Sequence, residues 1–299
     1  MDSSTEESRP SIIEKKADDP GSNIGVAPLS TCNFIRKSRS THSIYKSYTQ
    51  KQTNCILHHS KIVTFKYSTN LNNLMTPTLT GKDYIKVEDT LISKKEIFKG
   101  KTWKDTHFAL AEKGLFMPPP NLFMLHYSKV RDAAQGKLIL YDGDNNEIPK
   151  KEAIEHWNYL SSTDRVDEIC WTWLDAYFER RQDGLYLLTD HKVINNKLEL
   201  LTNKLGKLED CVSNDCYVDL DFNRQGLPTQ KSTKKKYQQG NNIYFWHPRD
   251  KSVARFGADS CGAGLICDWG PGGSSPAIGV FAARKFFEDS TTLETEIQE

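Results

Sequence analysis

The stretch that decides the fold is GADSCGAGLICDWGPGGSS, residues 257–275. In its first half Ala263, Leu265 and Cys267 alternate with residues 262, 264, 266 and 268. Successive side chains of a strand point to opposite faces, so a period of two separates these two sets. The apolar set predicts a face turned toward a core, and the mixed set predicts a face turned outward. A slip of one residue would exchange the two faces.

The regions on either side of this stretch also favour strands. We predict short strands at 243–246 and 252–256 around a turn at 247–250, and a closing strand at 278–284. Further upstream, residues 174–178 alternate with a period of two and meet the run 185–188 across an Asp-Gly turn, which predicts a β-hairpin. Trp171 and Trp173 lie on the opposite face of that hairpin. We interpret them as part of a second packed layer rather than as a ligand stack.

Three helices are predicted before these strands. The first opens at Thr102 and stops at Gly114, the second is capped by Asn121 and ends near Gly136, and the third covers 150–160. The acidic run 142–146 predicts a turn, because an EF-hand calcium loop needs glycine at its sixth position and this sequence has Glu147. Helices followed by a strand-rich half predict the α+β class.

Composition excludes several classes of function. The chain has 299 residues, 37% hydrophobic and 26% charged, with a formal charge of +1. No apolar run reaches 18 residues, which excludes a transmembrane helix, and the near-zero charge gives no reason to expect nucleic acid as a partner. The basic run 231–236 lies in a stretch, 195–240, that we expect to be irregular, and we interpret it as a solvated loop.

Charge also marks the domain boundaries. Residues 1–19 hold six acids, whereas residues 20–80 hold none and seven bases. We predict a disordered or weakly structured Ser/Thr/Lys-rich extension over 1–75, a domain over 76–287 with its binding face near 253–284, and an acidic tail over 288–299. The alternative is that translation begins at Met75, in which case the residues before it are not part of the protein. The acidic start of residues 1–19 argues against a targeting peptide, and we expect a cytoplasmic location by default.

Cysteine and histidine usage predicts no cofactor and no metal site. The seven cysteines form an odd set without a C-x-x-C pair, and the eight histidines are scattered. Neither a zinc ribbon nor a disulfide framework follows from this spacing. We therefore interpret the cysteines as thiols in a reducing compartment.

Two segments resemble the formylglycine-generating, sulfatase-modifying family. Trp103, Gly114, Met117-Pro118 and Phe123 follow the spacing of that family's Trp, Gly and Leu-Pro-Thr-Glu-x-Glu-Trp segment, with other residues at its Thr, Glu and Trp positions. The stretch 278–284 is similar to the family's closing Gly-Phe-Arg strand. This resemblance implies a C-type-lectin-like α+β fold over roughly residues 81–287.

Within that fold, the segment before the closing strand has inward residues that are fixed and outward residues that are free to vary. This pattern resembles that of the variable proteins of diversity-generating retroelements. The resemblance implies a protein that displays a diversifiable surface to an unknown protein or glycan ligand, and no enzyme. The implied ligand-contacting positions are Gly257, Asp259, Cys261, Gly262, Gly264, Ile266, Asp268, Trp269, Gly270, Gly272, Gly273, Ser274 and Ser275.

Two alternatives stay open. Active members of the sulfatase-modifying family bind copper with two cysteines about five residues apart, for which Cys261 and Cys267 are the candidates here. Six residues of straight strand extend roughly 20 Å, so a shared metal would require a bend at Gly262 or Gly264. The other alternative is a lectin-like binding domain that is not diversified.

Overall fold

The stretch 257–275 contains the turn and the second strand of a β-hairpin inside a large sheet. The computed structural model describes residues 78–164, 169–200 and 205–286, so the predicted extension 1–75 and tail 288–299 lie outside the described residues. The strands are β1 (Tyr84–Val87), β2 (Thr90–Ile97), β3 (Cys170–Arg181), β4 (Gly184–Leu188), β5 (His191–Ile194), β6 (Lys197–Leu200), β7 (Leu205–Lys207), β8 (Cys216–Asp219), β9 (Asn242–Trp246), β10 (Ser252–Asp259), β11 (Gly262–Trp269) and β12 (Val280–Lys285).

The main sheet has seven strands in the order β7-β4-β3-β10-β11-β9-β8. Strand β10 lies at its centre and pairs antiparallel with β3 and with β11. Strand β9 pairs parallel with β11 and antiparallel with β8, so the turn at 247–250 does not join a hairpin. Two smaller sheets complete the described part, β1-β2-β12 and β5-β6.

Three α-helices precede the main sheet, and we label them α1 (Trp103–Ala111), α2 (Pro120–Ala134) and α3 (Lys150–Ser161). The Thr102 side chain caps α1 by accepting a hydrogen bond from the Asp105 backbone N–H, as the sequence predicts. Helix α2 begins two residues earlier than predicted, with Pro119 and not Asn121 as its N-cap. Proline fits the first helical position because that residue's N–H has no partner within the helix.

One face of the main sheet packs against α2 and α3 and forms the larger core. The Phe256 ring lies 5.1 Å from the Phe123 ring and 5.3 Å from the Tyr127 ring, measured between centroids. Ala263, Leu265 and Cys267 are buried in this same core. The inward set predicted for the decisive strand therefore faces the helices.

The opposite face, which we call the outer face, carries a second apolar layer. Trp173 is fully buried there beside Trp103, Val253 and Val280, which confirms the predicted second layer. Strand β12 joins this layer to the main sheet, because the Phe281 backbone N–H donates to the Thr172 hydroxyl at 3.0 Å. Both faces of the central strands are thus covered over much of their area.

The observed class is α+β, mostly sheet with three helices. The turn at 142–146 is confirmed, with the Asp142 carboxylate accepting hydrogen bonds from the backbone of Asp144 and Asn146. The expectation of an irregular stretch over 195–240 is wrong in part, because β6, β7 and β8 lie within it. These strands are only three or four residues long and lack the extended alternation on which strand prediction depends. No helix in the described ranges is long and apolar enough to cross a membrane.

Candidate functional site

The outer face holds one arginine at the middle of the main sheet. Arg255 lies on the central strand β10, just after a bulge that shifts the pairing register on both sides between Val253 and Arg255. Bulges reorient side chains next to them. Strand β10 pairs with β3 on one side and with β11 on the other, so Arg255 lies between these two strands.

Each of these flanking strands supplies a tryptophan to the arginine. The Arg255 guanidinium carbon lies 4.0 Å from the centre of the Trp171 ring and 3.7 Å from that of the Trp269 ring. Both distances are within the range of cation–π stacking. We call Trp171, Arg255 and Trp269 the indole–guanidinium cluster.

The cluster contains four buried N–H donors without an acceptor among the described residues. They are Nε and Nη1 of Arg255 and the indole nitrogens of Trp171 and Trp269. The neighbouring tryptophans differ, because Trp103 donates to the Leu174 carbonyl at 2.8 Å and Trp173 to the Lys101 carbonyl at 3.1 Å. Buried donors in proteins are nearly always paired, so four unpaired donors in one cluster indicate a missing acceptor.

The two carboxylates whose charges act on Arg255, those of Asp259 and Asp268, do not fill this role. The Asp259 carboxylate accepts from the Cys261 backbone N–H at 2.8 Å, and the Asp268 carboxylate lies 3.5 Å from Nε of Arg249. Burial lowers the pKa of Arg255 to about 9, against the opposing effect of Asp268 and Asp259. The guanidinium is still charged at pH 7, and it is 5% exposed with no ion pair in the described part of the chain.

The predicted ligand-contacting positions fall into three groups by exposure. Gly270, Gly272 and Ser274 are exposed. Half-buried positions are Asp259, Cys261, Gly262, Asp268, Trp269, Gly273 and Ser275, and the buried ones are Gly257, Gly264 and Ile266. Of the predicted set, only the C-terminal part, from residue 270 onward, includes positions that are exposed to solvent.

Several of the glycines in this set have no room for a side chain. A Cβ at Gly264 would lie 2.9 Å from the Trp246 ring and 3.0 Å from the Tyr244 carbonyl oxygen, and one at Gly273 would lie 2.5 Å from the Trp269 indole nitrogen. Nothing lies within 4 Å of such a Cβ at Gly270 or Gly272. The turn 270–273 thus packs, at Gly273, against the Trp269 indole of the indole–guanidinium cluster.

The two cysteines of the copper alternative lie on different parts of the hairpin. Cys267 is fully buried in the core near the end of β11, where burial raises the pKa of its thiol. Cys261 is half-buried in the turn before that strand. Because β11 pairs regularly with β10 from Gly262 to Ile266, neither Gly262 nor Gly264 supplies the bend that would bring the two sulfur atoms to one metal.

Comparisons of this chain with protein-family models, with curated proteins and with solved structures find no match. The resemblance to the sulfatase-modifying family therefore rests on the motifs quoted above.

Two of the three cluster residues were not singled out from the sequence as ligand-binding. Trp171 was interpreted as a packing residue, and Arg255 was treated only as part of a strand. A signal was present, because Arg255 is the one charged residue in the apolar run 252–258. A charge inside a buried strand predicts either a partner or a ligand.

Proposed function

We propose that this chain is a ligand-binding protein whose outer face recognises an oxyanion, a carboxylate or sulfate group, on a protein or glycan. The observation that carries the proposal is the buried, unpaired Arg255 guanidinium between Trp171 and Trp269. A guanidinium presents N–H donors in a plane that matches two oxygens of a planar or tetrahedral anion. The adjacent indole N–H groups add two donors and no acceptor.

Entry to this cluster involves the glycine-rich turn. Gly273 lies against the Trp269 indole nitrogen, so an anion reaches that nitrogen only when the turn 270–273 moves. Gly270 and Gly272 have open space around them, which leaves the turn room for such a movement. The exposed Ser274 and half-buried Asp268 at the edge of the cluster would contact the rest of the ligand.

The decisive experiment measures anion-dependent stabilisation of the full chain. Sulfate, acetate and an acidic oligosaccharide, each against a neutral counterpart at constant ionic strength, are titrated while Tm and tryptophan fluorescence are recorded. We expect the wild-type Tm to rise with the anion and Arg255→Met to show no rise. Because a buried charge without a partner destabilises a protein, Arg255→Met should be as stable as wild type or more so without ligand.

Arg224→Met is the matched control, since the Arg224 side chain is 91% exposed and distant in sequence from the cluster. It removes the same charge without touching the cluster, so it should keep the wild-type response. Equal responses of wild type and Arg255→Met, or no response of either, would refute the oxyanion proposal.

The finer part of the proposal is that this scaffold is C-type-lectin-like and that its surface is diversified by a retroelement. The pairing of β12 (Val280–Lys285) with β2, near the end of the described chain, supports the lectin-like part. Deep sequencing of the codons for 253–284 across a natural population tests diversification. Substitutions confined to adenines of a nearby repeat, at exposed and half-buried outer positions, are expected; uniform codons would favour an undiversified binding domain.

A further inference from the structure

We propose that His107, Asp175 and His191 form a site for a divalent transition-metal ion, with Zn²⁺ as the first candidate. These residues come from α1, β3 and β5, and they share no residue with the indole–guanidinium cluster. The proposal is therefore independent of the proposed function. Sequence analysis predicts no metal site, and only tertiary structure brings these three side chains together.

The geometry suits three ligands of one ion. The candidate ligand atoms all lie within 4.8 Å of one another. Oδ1 of Asp175 lies 2.5 Å from Nδ1 of His191 and 3.6 Å from Nε2 of His107. Zinc binds nitrogen and oxygen at about 2.0–2.1 Å, which places tetrahedral ligands roughly 3.4 Å apart. The His107 spacing already fits, and the His191 ring would have to move away from the carboxylate by about 1 Å.

An unpaired imidazole distinguishes this group from an ordinary hydrogen-bonded cluster. The His107 side chain is only 4% exposed, and its buried Nε2 has no hydrogen-bond partner among the described residues. Its distance of 3.6 Å from Oδ1 of Asp175 is too long for a hydrogen bond and is close to the spacing of two ligands on one ion.

Neighbouring groups hold the three ligands in place. Oδ2 of Asp175 accepts from the His191 backbone N–H at 3.0 Å, which leaves Oδ1 for the two imidazoles. The Trp103 ring packs edge-on against both histidines, with centroid distances of 4.4 Å to His107 and 5.0 Å to His191. Such outer contacts orient metal ligands in known sites.

The donor set defines the class of ion. Two neutral imidazoles and one carboxylate are borderline ligands that suit Zn²⁺, Fe²⁺, Co²⁺ and Ni²⁺ better than Ca²⁺ or Mg²⁺, which prefer oxygen. Binding would replace the hydrogen bond between Nδ1 of His191 and Oδ1 of Asp175. The His191 ring would bind the ion through Nδ1, in the tautomer that carries its one hydrogen on Nε2.

The site would fasten the β5–β6 hairpin to the rest of the fold. This two-stranded sheet pairs with neither of the other sheets. Its link to β3 includes the contacts of His191 with Asp175. An ion held by α1, β3 and β5 would join the hairpin to both a helix and the main sheet.

The experiment uses the full chain, stripped with a chelator, dialysed and titrated with Zn²⁺ by calorimetry, with bound metal counted by elemental analysis. We expect one equivalent per chain and a Tm that rises with Zn²⁺. His107→Gln and His191→Gln should each lose this equivalent while keeping the wild-type far-UV circular dichroism in chelator. His247→Gln, at a histidine that follows β9 and lies outside the site, is the matched control and should bind like wild type.

X-ray absorption of the loaded wild-type protein tests the site without any variant. We expect nitrogen and oxygen ligands with imidazole scattering and no sulfur, since the cysteines are not part of the site. Sulfur ligation, absence of binding by wild type, or retention of the equivalent in both histidine variants would overturn the proposal and leave a hydrogen-bonded Asp–His cluster.

Discussion

At the scale of single residues, space decides which positions of the outer face tolerate change. Gly264 and Gly272 both belong to the predicted diversifiable set, but a Cβ at Gly264 meets the Tyr244 carbonyl and the Trp246 ring, whereas Gly272 has open space. The resemblance assigns both glycines the same role, and the sequence does not show this difference in available space. The strand packed beside β11 creates it.

The expected consequence is that Gly264→Ala destabilises the protein by about 1–3 kcal/mol, the range for overpacking, and Gly272→Ala changes stability by less than about 0.5 kcal/mol. Urea unfolding of both variants measures the two values. Equal stability would mean that the β9–β11 contact relaxes freely. If the diversification hypothesis is right, natural copies should keep Gly264 and vary at Gly272.

At the scale of elements, the closing strand depends on two side-chain acceptors. The Phe281 backbone N–H donates to Thr172 on β3, and the Ala282 backbone N–H donates to the Ser93 hydroxyl on β2 at 2.8 Å. The contact with Thr172 joins the three-stranded sheet to the seven-stranded sheet, whereas the contact with Ser93 lies within the three-stranded sheet. Both hydrogen bonds are buried, so losing an acceptor leaves an unsatisfied N–H.

We expect Thr172→Val to lower the free energy of unfolding by about 1–3 kcal/mol, because valine keeps the shape but cannot accept the hydrogen bond. Thr78→Val, at an exposed threonine, is the control and should have no effect. Chemical denaturation provides the measurement. A Thr172→Val protein as stable as the control would show that β12 does not need this bond.

The contact between α2 and α3 contains a buried histidine pair that makes stability depend on pH. Nε2 of His126 lies 3.2 Å from Nε2 of His156, and burial lowers the pKa of His126 to about 3 and that of His156 well below its usual range. In the unfolded chain both would titrate near 6.5. As pH falls below that value, the unfolded state takes up protons first, so stability decreases.

The urea midpoint should therefore fall between pH 7 and pH 4. His126→Gln should show a shallower decrease, because one of the depressed groups is gone. The comparison of the two pH profiles is the test. Parallel profiles would show that these histidines do not cause the acid sensitivity.

At the scale of the whole molecule, the described residues alone build both apolar layers. Strand β1 near the start and strand β12 near the end belong to one sheet through β2, so the described chain closes on itself. All of these residues lie within the unit Lys66–Glu299. A fragment of residues 76–299 should consequently unfold cooperatively, with a free energy within about 0.5 kcal/mol of the full chain.

Denaturation of the fragment and the full chain, followed by near-UV circular dichroism, checks this expectation. A fragment that is less stable by more than this amount, or that lacks near-UV signal, would assign the first 75 residues a structural role. The sequence boundary near residue 75 would then be misplaced.

Sequence periodicity and capping were enough to predict the α+β class, the three helices, the β3–β4 hairpin and the inward face of β11. Each depends on residues close together in the chain, such as the Thr102 cap or the alternation of Ala263, Leu265 and Cys267. Local geometry repeats along one segment, and for that reason it can be recognised without knowing what lies next to it.

Only tertiary structure decided the strand order, the burial of part of the outer face, and the two candidate sites. Arg255 meets Trp171 and Trp269 because β10 lies between β3 and β11, and His107 meets Asp175 and His191 because a helix and a hairpin pack on one strand. No spacing along the chain predicts these contacts. They arise from strand register and layer packing, which bring residues far apart in sequence next to one another.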